Sequence, residues 1–344
     1  MTLFPTEFPA GDYIVAGASG LVGSHALTAL ADKQEIRVKA LYNTHEPYIQ
    51  ADNITAVKAD LTQRDICQEA IREADYLLLA AGVTAPAPVV TRDPVTPAMD
   101  TLLILSQSLE AAWTAGIGKT IWLSSSTGYP ESDALLSEED MFSGDPPDPW
   151  YPIAWVMRYV ETLSRTLAEK APRPMTCIVL RPSLIYGEFD HFNDENAHFL
   201  PALLRRVVER NNPIEVWGDG ENRRDVIHAA DVVAAVSSAL HKVEGFDVFN
   251  IANGATVSVN EVLSLLIEID GFQKAKITHQ IDRPSTPGKR LLDVGKAKRI
   301  LGFSPAVELR DGLQRTLEWY RQNFFEPSKR DRQAGCNRTP PKRC

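Results

Sequence analysis

Cysteine is scarce in this 344-residue sequence, which contains four cysteines and seven histidines. The thiols are too few and too scattered for a disulfide framework or a metal cluster, so reduced cysteines are expected. The histidines show no metal-ligand spacing, and the sequence therefore predicts no bound metal. The cysteines are Cys67, Cys177, Cys336 and Cys344.

Long apolar runs are also missing. No stretch reaches the roughly 18 uninterrupted apolar residues that a membrane-spanning helix requires. The first eleven residues include two prolines but no lysine or arginine, which is unlike a secretory signal. We therefore expect no membrane association and a cytoplasmic location.

Positive charge is in deficit, since 36 lysines and arginines stand against 45 aspartates and glutamates and give a net charge of −9. This balance argues against binding to nucleic acid or to anionic membranes. Residues 326–344 depart from it, with six basic and two acidic side chains. That segment is predicted to be a disordered tail, with a basic interaction arm as the alternative.

Apolar residues, by contrast, are plentiful: 44% of the residues are hydrophobic and 24% are charged, which suits a protein with a large core. Up to Gly187, short β-branched runs alternate with helical patterns, as in a parallel sheet with crossover helices. The predicted strands are Tyr13–Ala16, Ile36–Leu41, Ile54–Lys58, Tyr76–Ala80, Thr120–Leu123 and Cys177–Arg181. The predicted helices are Leu21–Ala31, Gln63–Arg72, Met99–Ala115 and Ile153–Glu169.

The alternation ends near Gly187, and the remaining chain is too short for a second doubly wound sheet. We interpret it as a small lobe that covers the carboxyl ends of the first sheet. The predicted strands after Gly187 are Ile214–Trp217 and Val248–Ile251, and the predicted helices there are Asn196–Arg210, Asp231–His241, Val259–Ile269 and Leu309–Asn323.

A glycine-rich turn follows the first predicted strand and opens the first predicted helix. In a dinucleotide-binding fold Gly17 would permit the tight turn, Gly20 the approach of a pyrophosphate and Gly23 the close packing of helix on strand. The helix N-terminus would offer N–H groups and partial positive charge to the phosphates. A glycine-rich connection without a ligand is the alternative.

The end of the second strand usually distinguishes the two nicotinamide dinucleotides, through an acidic residue for NAD or an arginine for NADP. Residues 41–46 read Leu-Tyr-Asn-Thr-His-Glu, with neither type in the expected place. The sequence therefore leaves NAD or NADP open as the cofactor. Asp60, after the third strand, could accept a hydrogen bond from an adenine amino group or cap a helix.

These patterns predict an α/β protein with two lobes and a tail. Residues 10–187, with part of 218–252, form a Rossmann-type dinucleotide-binding domain built on a doubly wound parallel sheet. Residues 188–217 and 253–325 form a smaller α/β substrate-binding lobe on its C-terminal side. Residues 326–344 form the tail.

Five segments of the chain follow one another in the order of a known family: Gly17–Gly23, Asp60–Leu61, Ser124–Pro130, Arg181–Gly187 and Arg224–His228. Together they resemble the extended short-chain dehydrogenases that act on nucleotide sugars, the NAD-dependent epimerase/dehydratase family. The resemblance covers about residues 12–325 and is greatest to the GDP-fucose synthase-like members. It implies an NAD(P) cofactor, a nucleotide-diphosphate sugar as substrate and a homodimer.

By that resemblance Ser125 hydrogen-bonds the reacting sugar oxygen and Tyr151 is the acid or base. The chemistry fits, because hydride transfer at a sugar carbon requires a proton to move on the attached oxygen, and a phenol can carry it. Pro152 suits the first turn of a helix that starts near Tyr151. The residues that the resemblance assigns to the cofactor are Gly17, Ser19, Gly20, Leu21, Val22, Gly23, Asp60, Leu61 and Ala81.

The family expects a lysine four residues after this tyrosine, where the sequence has Trp155. The lysine holds the nicotinamide ribose and lowers the tyrosine pKa, and a neutral indole can do neither. A tyrosine of ordinary pKa is about 0.1% ionised at pH 7, so forming the phenolate costs roughly 4 kcal/mol. That penalty weighs most on oxidation and least on reduction of a ketone, in which neutral tyrosine donates its proton. Trp155 itself is expected to pack in the core, with stacking on the nicotinamide as the alternative.

Arg158 lies seven residues after Tyr151, on the same face of the predicted helix. We hypothesise that it binds at the cofactor and supplies part of the missing positive charge. Its side chain would lean back toward the helix start. An ordinary surface arginine is the alternative.

The residues that would carry out epimerisation are a second departure from the family pattern. The GDP-fucose synthase-like members use a cysteine and a histidine to exchange protons beside a keto group, and the corresponding residues are Thr127 and His198. His198 can titrate near neutrality and act as an acid, with a polar residue at a helix start as the alternative. A threonine hydroxyl is not ionised enough to act as a base. Both remain candidate catalytic and substrate-binding residues, but the pattern favours a reductase or a 4-epimerase over a 3,5-epimerase.

A substrate with two phosphates needs local cations in an acidic protein. By the resemblance, Arg206 and Arg224 contact the pyrophosphate and Arg290 meets the nucleotide, since guanidinium groups suit phosphate oxygens. Trp217 offers a face for the base or the sugar. The alternatives are a salt-bridged helix end for Arg206, a loop ion pair for Arg224 and a core aromatic for Trp217.

The sequence therefore predicts an enzyme, an NAD(P)-dependent nucleotide-sugar epimerase or keto-sugar reductase. The alternative is a non-catalytic nucleotide-binding relative that lost hydride chemistry together with the lysine.

Overall fold

Strands and helices alternate along the chain in the computed structural model, which describes residues 7–83, 87–192, 197–282 and 291–325. The strands are β1 (Gly11–Ala16), β2 (Ile36–Tyr42), β3 (Ile54–Lys58), β4 (Tyr76–Leu79), β5 (Lys119–Leu123), β6 (Leu135–Leu136), β7 (Thr176–Pro182), β8 (Leu184–Tyr186), β9 (Ile214–Trp217), β10 (Arg223–His228), β11 (Phe246–Ile251), β12 (Thr256–Ser258), β13 (Ile277–Gln280) and β14 (Leu291–Leu292). The helices are α1 (Leu21–Leu30), α2 (Arg64–Ala70), α3 (Ala87–Arg92), α4 (Thr96–Ala115), α5 (Tyr151–Glu169), α6 (Phe199–Val208), α7 (Ala229–Lys242), α8 (Val259–Asp270), α9 (Gly295–Leu301) and α10 (Leu309–Tyr320).

Seven strands form one sheet in the order β11-β7-β5-β4-β1-β2-β3, and every neighbouring pair is parallel. The prediction of a Rossmann-type α/β sheet is therefore confirmed. The strand order reverses between β1 and β4, and ligands of such sheets bind beyond the carboxyl ends of the strands at this reversal. Ala16 pairs with Leu79 there, so Gly17 follows directly at the crevice.

Two apolar layers cover the faces of the sheet. Side chains alternate along a strand, so Val15 of β1 belongs to one layer and Ile14 to the other. The first layer includes Leu27 of α1 and Val236 of α7, and the second includes Val160 of α5. Helices on both faces make the sheet doubly wound. The two apolar layers fix the positions of α1 and α5, which carry predicted site residues.

A third apolar cluster lies in the lobe formed by α6, α8, α10 and short strands. The order of one small sheet is β12-β10-β8, and the two-stranded pairs are β13 with β9 and β14 with β6. Of these strands only β9 was predicted. The others depend on pairing with distant parts of the chain, which a local pattern does not show. The predicted domain boundaries remain a prediction.

The chain first passes from the sheet to this lobe through a single residue, Ser183, since β7 ends at Pro182 and β8 begins at Leu184. The backbone N–H of Ser183 donates to Ile251 O at 2.9 Å, and its hydroxyl donates to Asp225 Oδ1 at 2.8 Å. This first crossing is therefore bonded on both sides.

Within the described ranges, every helix falls short of the length and apolar character needed to cross a membrane. Cys67 and Cys177 are free, buried thiols. Burial raises the pKa of both, that of Cys177 to about 12, so they stay protonated at neutral pH. The tail predicted over 326–344 lies outside the described residues, as does Arg290.

Candidate active site

The turn between β1 and α1 has a backbone that only glycine allows at key points. Gly17 has φ +82°, and a Cβ there would lie 2.6 Å from Ala80 O. A Cβ on Gly23 would overlap the Gly17 carbonyl, whereas at Gly20 it would meet only that carbonyl at 3.3 Å. Gly20 is the N-cap of α1 and has no side chain to bond the first N–H groups of the helix. This open cradle at a helix N-terminus fits the pyrophosphate of a dinucleotide.

Asp60 is held in a turn at the end of β3. Its Oδ1 accepts hydrogen bonds from Thr62 N at 3.0 Å and from Thr62 Oγ1 at 2.7 Å. The idea that it caps the following helix is wrong, because the N-cap of α2 is Gln63. Its role toward an adenine ring stays a prediction, as do the roles of Leu61, which is buried beside it, and Ala81.

The hydroxyls of Ser125 and Thr127 meet in a single turn of 3₁₀ helix, Ser126–Gly128, after β5. Ser125 Oγ accepts a hydrogen bond from Thr127 N at 3.1 Å and another from Thr127 Oγ1 at 2.8 Å. With both bonds made, the proton on Ser125 Oγ is free to be donated to a substrate oxygen. The structure thus brings together two predicted site residues.

Tyr151 begins α5, two residues before the predicted helix start, and Pro152 follows in the first turn as expected. Tyr151 is 42% exposed, so it lies at the surface of the fold and outside the core. Its ring meets the Trp155 ring edge to face, with 6.2 Å between the centroids.

Trp155 and Arg158 differ from their sequence-based expectations. Trp155 does not pack in the core: it is 40% exposed, and its ring lies between Tyr151 and the Arg158 guanidinium, whose Cζ is 4.7 Å from the ring centroid. Arg158 is not a surface arginine, since it is 2% exposed. Its Nε donates to Gly128 O at 3.0 Å and its Nη2 to Gly144 O at 2.6 Å. A buried guanidinium must satisfy its donors, and Arg158 uses protein carbonyls where a cofactor contact was predicted.

His198 is the half-buried N-cap of α6, as the helix-start alternative expected. Burial lowers its pKa, and the nearby positive charge of His191 lowers it further. The imidazole is therefore held neutral at pH 7, where it can donate or accept a hydrogen bond with a sugar hydroxyl.

The predicted phosphate and base contacts lie on neighbouring elements of the lobe. Arg206 of α6 donates from Nη1 to Glu215 O of β9 at 2.5 Å, so it is bonded to the strand that ends with Trp217. Trp217 is 37% exposed and is not a core aromatic. Arg224 lies half-buried in β10, where its Nη1 donates to Arg223 O at 2.9 Å and burial lowers its pKa.

Sequence reasoning missed a largely buried cluster of titratable side chains beside α1. Glu188 Oε2 lies 3.0 Å from His228 Nε2 and 3.5 Å from His25 Nε2, while Arg315 Nε donates to Oε1 at 2.9 Å. Burial lowers the pKa of His25 to about 3. Burial would raise the pKa of Glu188, but its interactions with His228 and His25 lower it to about 2. These residues lie far apart in sequence, so no local pattern could have shown that they meet.

The side chains of His25, Glu188 and His228 are close enough to surround a metal ion. However, Nδ1 of His228 accepts the N–H of Ala230 at 3.2 Å as the N-cap of α7. The neutral ring therefore carries its proton on Nε2, where a metal would need a lone pair. This tautomer, together with the charge of Arg315, argues against a metal ion here. The three facing atoms, His25 Nε2, His228 Nε2 and Glu188 Oε2, are buried and make no hydrogen bond of good geometry with any described residue, so the group is held by charge and packing.

Known proteins are similar to this chain over most of its length. Residues 13–252 match the model of the NAD-dependent epimerase/dehydratase family. A putative GDP-L-fucose synthase 2 of Arabidopsis thaliana is 30% identical over 321 residues, which cover 91% of this chain and 92% of that protein. A dTDP-4-dehydro-6-deoxy-D-allose reductase of a Streptomyces species is 28% identical over 327 residues, covering 90% of this chain and 95% of that protein. The structure of MoeE5 in complex with UDP-glucuronic acid and NAD is 27% identical with a TM-score of 0.77, covering 91% of this chain and 100% of that chain.

Proposed function

The chain belongs to the NAD-dependent epimerase/dehydratase family, as an NAD(P)-dependent nucleotide-sugar epimerase or reductase, and we propose that its reaction is reduction of a keto sugar carried on a nucleoside diphosphate. The resemblance expected from the sequence is confirmed, and with it the prediction of an enzyme. The choice of reduction, the roles of the site residues and the identity of the sugar are the parts that we propose.

The glycine turn is the part of the site that we assign to the cofactor. Its backbone cradle opens onto the N-terminus of α1, which suits the phosphates of NAD or NADP. When bound, the nicotinamide ring supplies the hydride. The residues that we assign to the cofactor are Gly17, Ser19, Gly20, Leu21, Val22, Gly23, Asp60, Leu61 and Ala81.

The observation that carries the proposal is the Trp155 indole that lies against Tyr151 where the family pattern has a lysine. An indole brings no ammonium charge to support a phenolate, so the direction of reaction that needs no phenolate is favoured. In reduction the Tyr151 hydroxyl gives its proton to the ketone oxygen as hydride reaches the carbon. Ser125 donates its free proton in a hydrogen bond to the same oxygen.

The same site supports reduction over 3,5-epimerisation. Thr127 Oγ1 donates to Ser125 Oγ at 2.8 Å, and a threonine hydroxyl does not ionise at neutral pH, so it is no base for removing a proton from carbon. The neutral imidazole of His198 suits a hydrogen bond to a sugar hydroxyl. We therefore assign Thr127 and His198 to binding and orienting the sugar.

The nucleoside diphosphate is assigned to the lobe. Arg206 and Arg224 bring guanidinium groups to β9 and β10, and Trp217 gives an exposed aromatic face between them in sequence. Arg290 completes the predicted set. The relatives named for GDP-L-fucose and for a dTDP-sugar support a substrate of this class. A homodimer and a cytoplasmic location are part of the same proposal.

The test uses purified protein with NADH or NADPH and a panel of 4-keto sugars on GDP, dTDP and UDP, with the nicotinamide absorbance as readout. We expect one combination to consume the reduced cofactor. A product formed in deuterium oxide should contain no solvent deuterium on the carbons beside the former ketone. Deuterium at those carbons would contradict the assignment to reduction alone, and binding of cofactor and sugars without any turnover would support the non-catalytic alternative.

A further inference from the structure

Arg158 is buried beside the proposed site, with its Cζ 5.5 Å from the centroid of the Phe142 ring, and three further groups hold it. Its Nε and Nη2 donate to the carbonyls of Gly128 and Gly144 at 3.0 and 2.6 Å. The face of its guanidinium lies 4.7 Å from the centroid of the Trp155 ring. The charge and the hydrogen-bond donors of this side chain are thus directed at protein groups.

Each of these three groups connects to a reacting side chain. Gly128 ends the short turn that Ser125 begins as its N-cap. Gly144 lies in the segment that leads into α5, which starts at Tyr151. The Trp155 ring contacts the Tyr151 ring directly. Arg158 is therefore the side chain to which both halves of the proposed proton-donating pair are joined.

We propose that Arg158 is a positioning residue, which holds Ser125 and Tyr151 in one arrangement through the Gly128 carbonyl and the Trp155 indole. The role rests on the proposed function, because it concerns the same acid and the same hydroxyl. Arg158 does not contact the cofactor in this role. Its guanidinium lies one turn further along α5 than the lysine of the family pattern, and it holds the Tyr151 ring in place through the Trp155 ring.

The chemistry of the guanidinium explains why this position needs arginine. A guanidinium is planar, so its edge can donate to two carbonyls while its face stacks on an indole. The ammonium group of a lysine keeps the charge but cannot combine a stacked face with two directed donors. An Arg158→Lys variant should therefore lose the arrangement although its charge is retained.

The experiment compares Arg158→Lys and Arg158→Met with a matched control, Arg165→Met. Arg165 lies on the same helix with its guanidinium 4.9 Å from the centroid of the Phe246 ring, away from Tyr151. Steady-state kinetics give kcat and KM for the sugar nucleotide, and thermal unfolding identifies variants that are folded. Fluorine NMR of fluorotyrosine-labelled protein without ligands reports on the Tyr151 ring, whose signal is assigned by its loss in Tyr151→Phe.

Both Arg158 variants should lower kcat by about 100-fold with little change in KM, because a displaced acid reacts slowly while binding is retained. Their Tyr151 fluorine signal should shift, and the control should match the wild type in both measurements. A wild-type kcat and a wild-type signal in Arg158→Lys would overturn the proposal. If Arg158→Met does not fold, Trp155→Phe and Trp155→Ala replace it, and we expect the alanine variant to show the larger shift.

The two proposals fail in different ways. If the wild-type protein reduces no sugar in the panel, the proposed function fails, while the fluorine signal still decides whether Arg158 orders the Tyr151 ring. If the protein reduces a sugar but the Arg158 variants keep full kcat, only the positioning role fails.

Discussion

At the scale of single residues, the Ser125 hydroxyl owes its direction to Thr127. Since Oγ already accepts two hydrogen bonds from that residue, its remaining capacity is to donate. A ketone oxygen becomes a stronger acceptor as hydride adds to the carbon and negative charge develops on the oxygen. In the proposed reduction Ser125 therefore stabilises the transition state more than the bound ketone, and Tyr151 delivers the proton.

Replacing Tyr151 by phenylalanine tests the proton donor. We expect turnover to fall by about 100- to 10,000-fold, because general acid catalysis is lost, while cofactor binding is retained. Steady-state rates and a cofactor fluorescence titration measure the two effects. Tyr159→Phe is the control, since Tyr159 is 57% exposed two turns further along the same helix. Undiminished turnover in Tyr151→Phe would rule out the assigned role.

The sequence predicted those parts of the site that depend on local spacing. The glycine turn was predicted because its three glycines lie within seven residues between a strand and a helix. The start of α5 was predicted because a proline, which suits the first turn of a helix, follows Tyr151. The partners of Trp155 and Arg158 could not be predicted, since they depend on carbonyls at positions 128 and 144 that come together only in the folded chain.

At the scale of elements, α5 is attached to the sheet by a buried ion pair. Arg181 of β7 donates from Nε to Glu161 Oε1 at 3.0 Å, and both side chains are 3% exposed. Ser124, beside the Ser125 turn, donates to the same carboxylate oxygen at 2.6 Å. Glu161 therefore fixes the helix that carries Tyr151 relative to the strand end that carries Ser125.

The change Glu161→Gln tests this attachment. We expect it to lower the free energy of unfolding by about 3–5 kcal/mol, because the buried guanidinium of Arg181 loses its counter-charge. Chemical denaturation of the protein measures the loss. Glu169→Gln, at the exposed end of the same helix, should change stability little, and an equal effect of the two variants would contradict the prediction.

The elements that periodicity predicts well are those with a buried face along their length. All seven strands of the main sheet and helices α1, α4 and α5 follow their predicted segments closely. The two- to four-residue strands of the smaller sheets were largely missed, since β6, β8 and β12 are too short to show an alternating pattern and exist because of their partners. Helix α9 was also missed, because seven residues give fewer than two helical turns of evidence.

At the scale of the whole molecule, Glu188 joins α1 to the lobe. It faces His25 on α1 and His228 at the start of α7, and it accepts a hydrogen bond from Arg315 on α10. The ionised carboxylate of Glu188 lies against the half-buried guanidinium of Arg315 and the imidazole of His228. The lobe and α1, the helix that we assign to the cofactor phosphates, are therefore linked through one charged group.

Acid should weaken this link in a defined range. The pKa of Glu188 is lowered from 4.5 to about 2 in the folded protein. A depressed pKa means that the carboxylate stabilises the fold above pH 4.5 and that this stability is lost as the pH falls toward 2. In Glu188→Gln the free energy of unfolding should be lower at neutral pH and should depend less on pH between 4.5 and 2. Denaturant unfolding across that range measures the free energy of unfolding at each pH, and Glu139→Gln, at an exposed position, is the control. If the free energies of Glu188→Gln and of the wild type changed with pH in parallel, the prediction would be contradicted.

The bonded crossing at Ser183 limits where the lobe can move relative to the sheet. With Pro182 and Leu184 both in strands, and with Ser183 bonded to Ile251 and Asp225, the backbone has little freedom at this point. The chain crosses between the two parts again through the loops 252–255 and 302–308. Hinges are a few loop or element-terminal residues that absorb a change of dihedral angles, so any opening of the lobe to admit a sugar nucleotide would be absorbed in these later loops while the Ser183 crossing stays fixed.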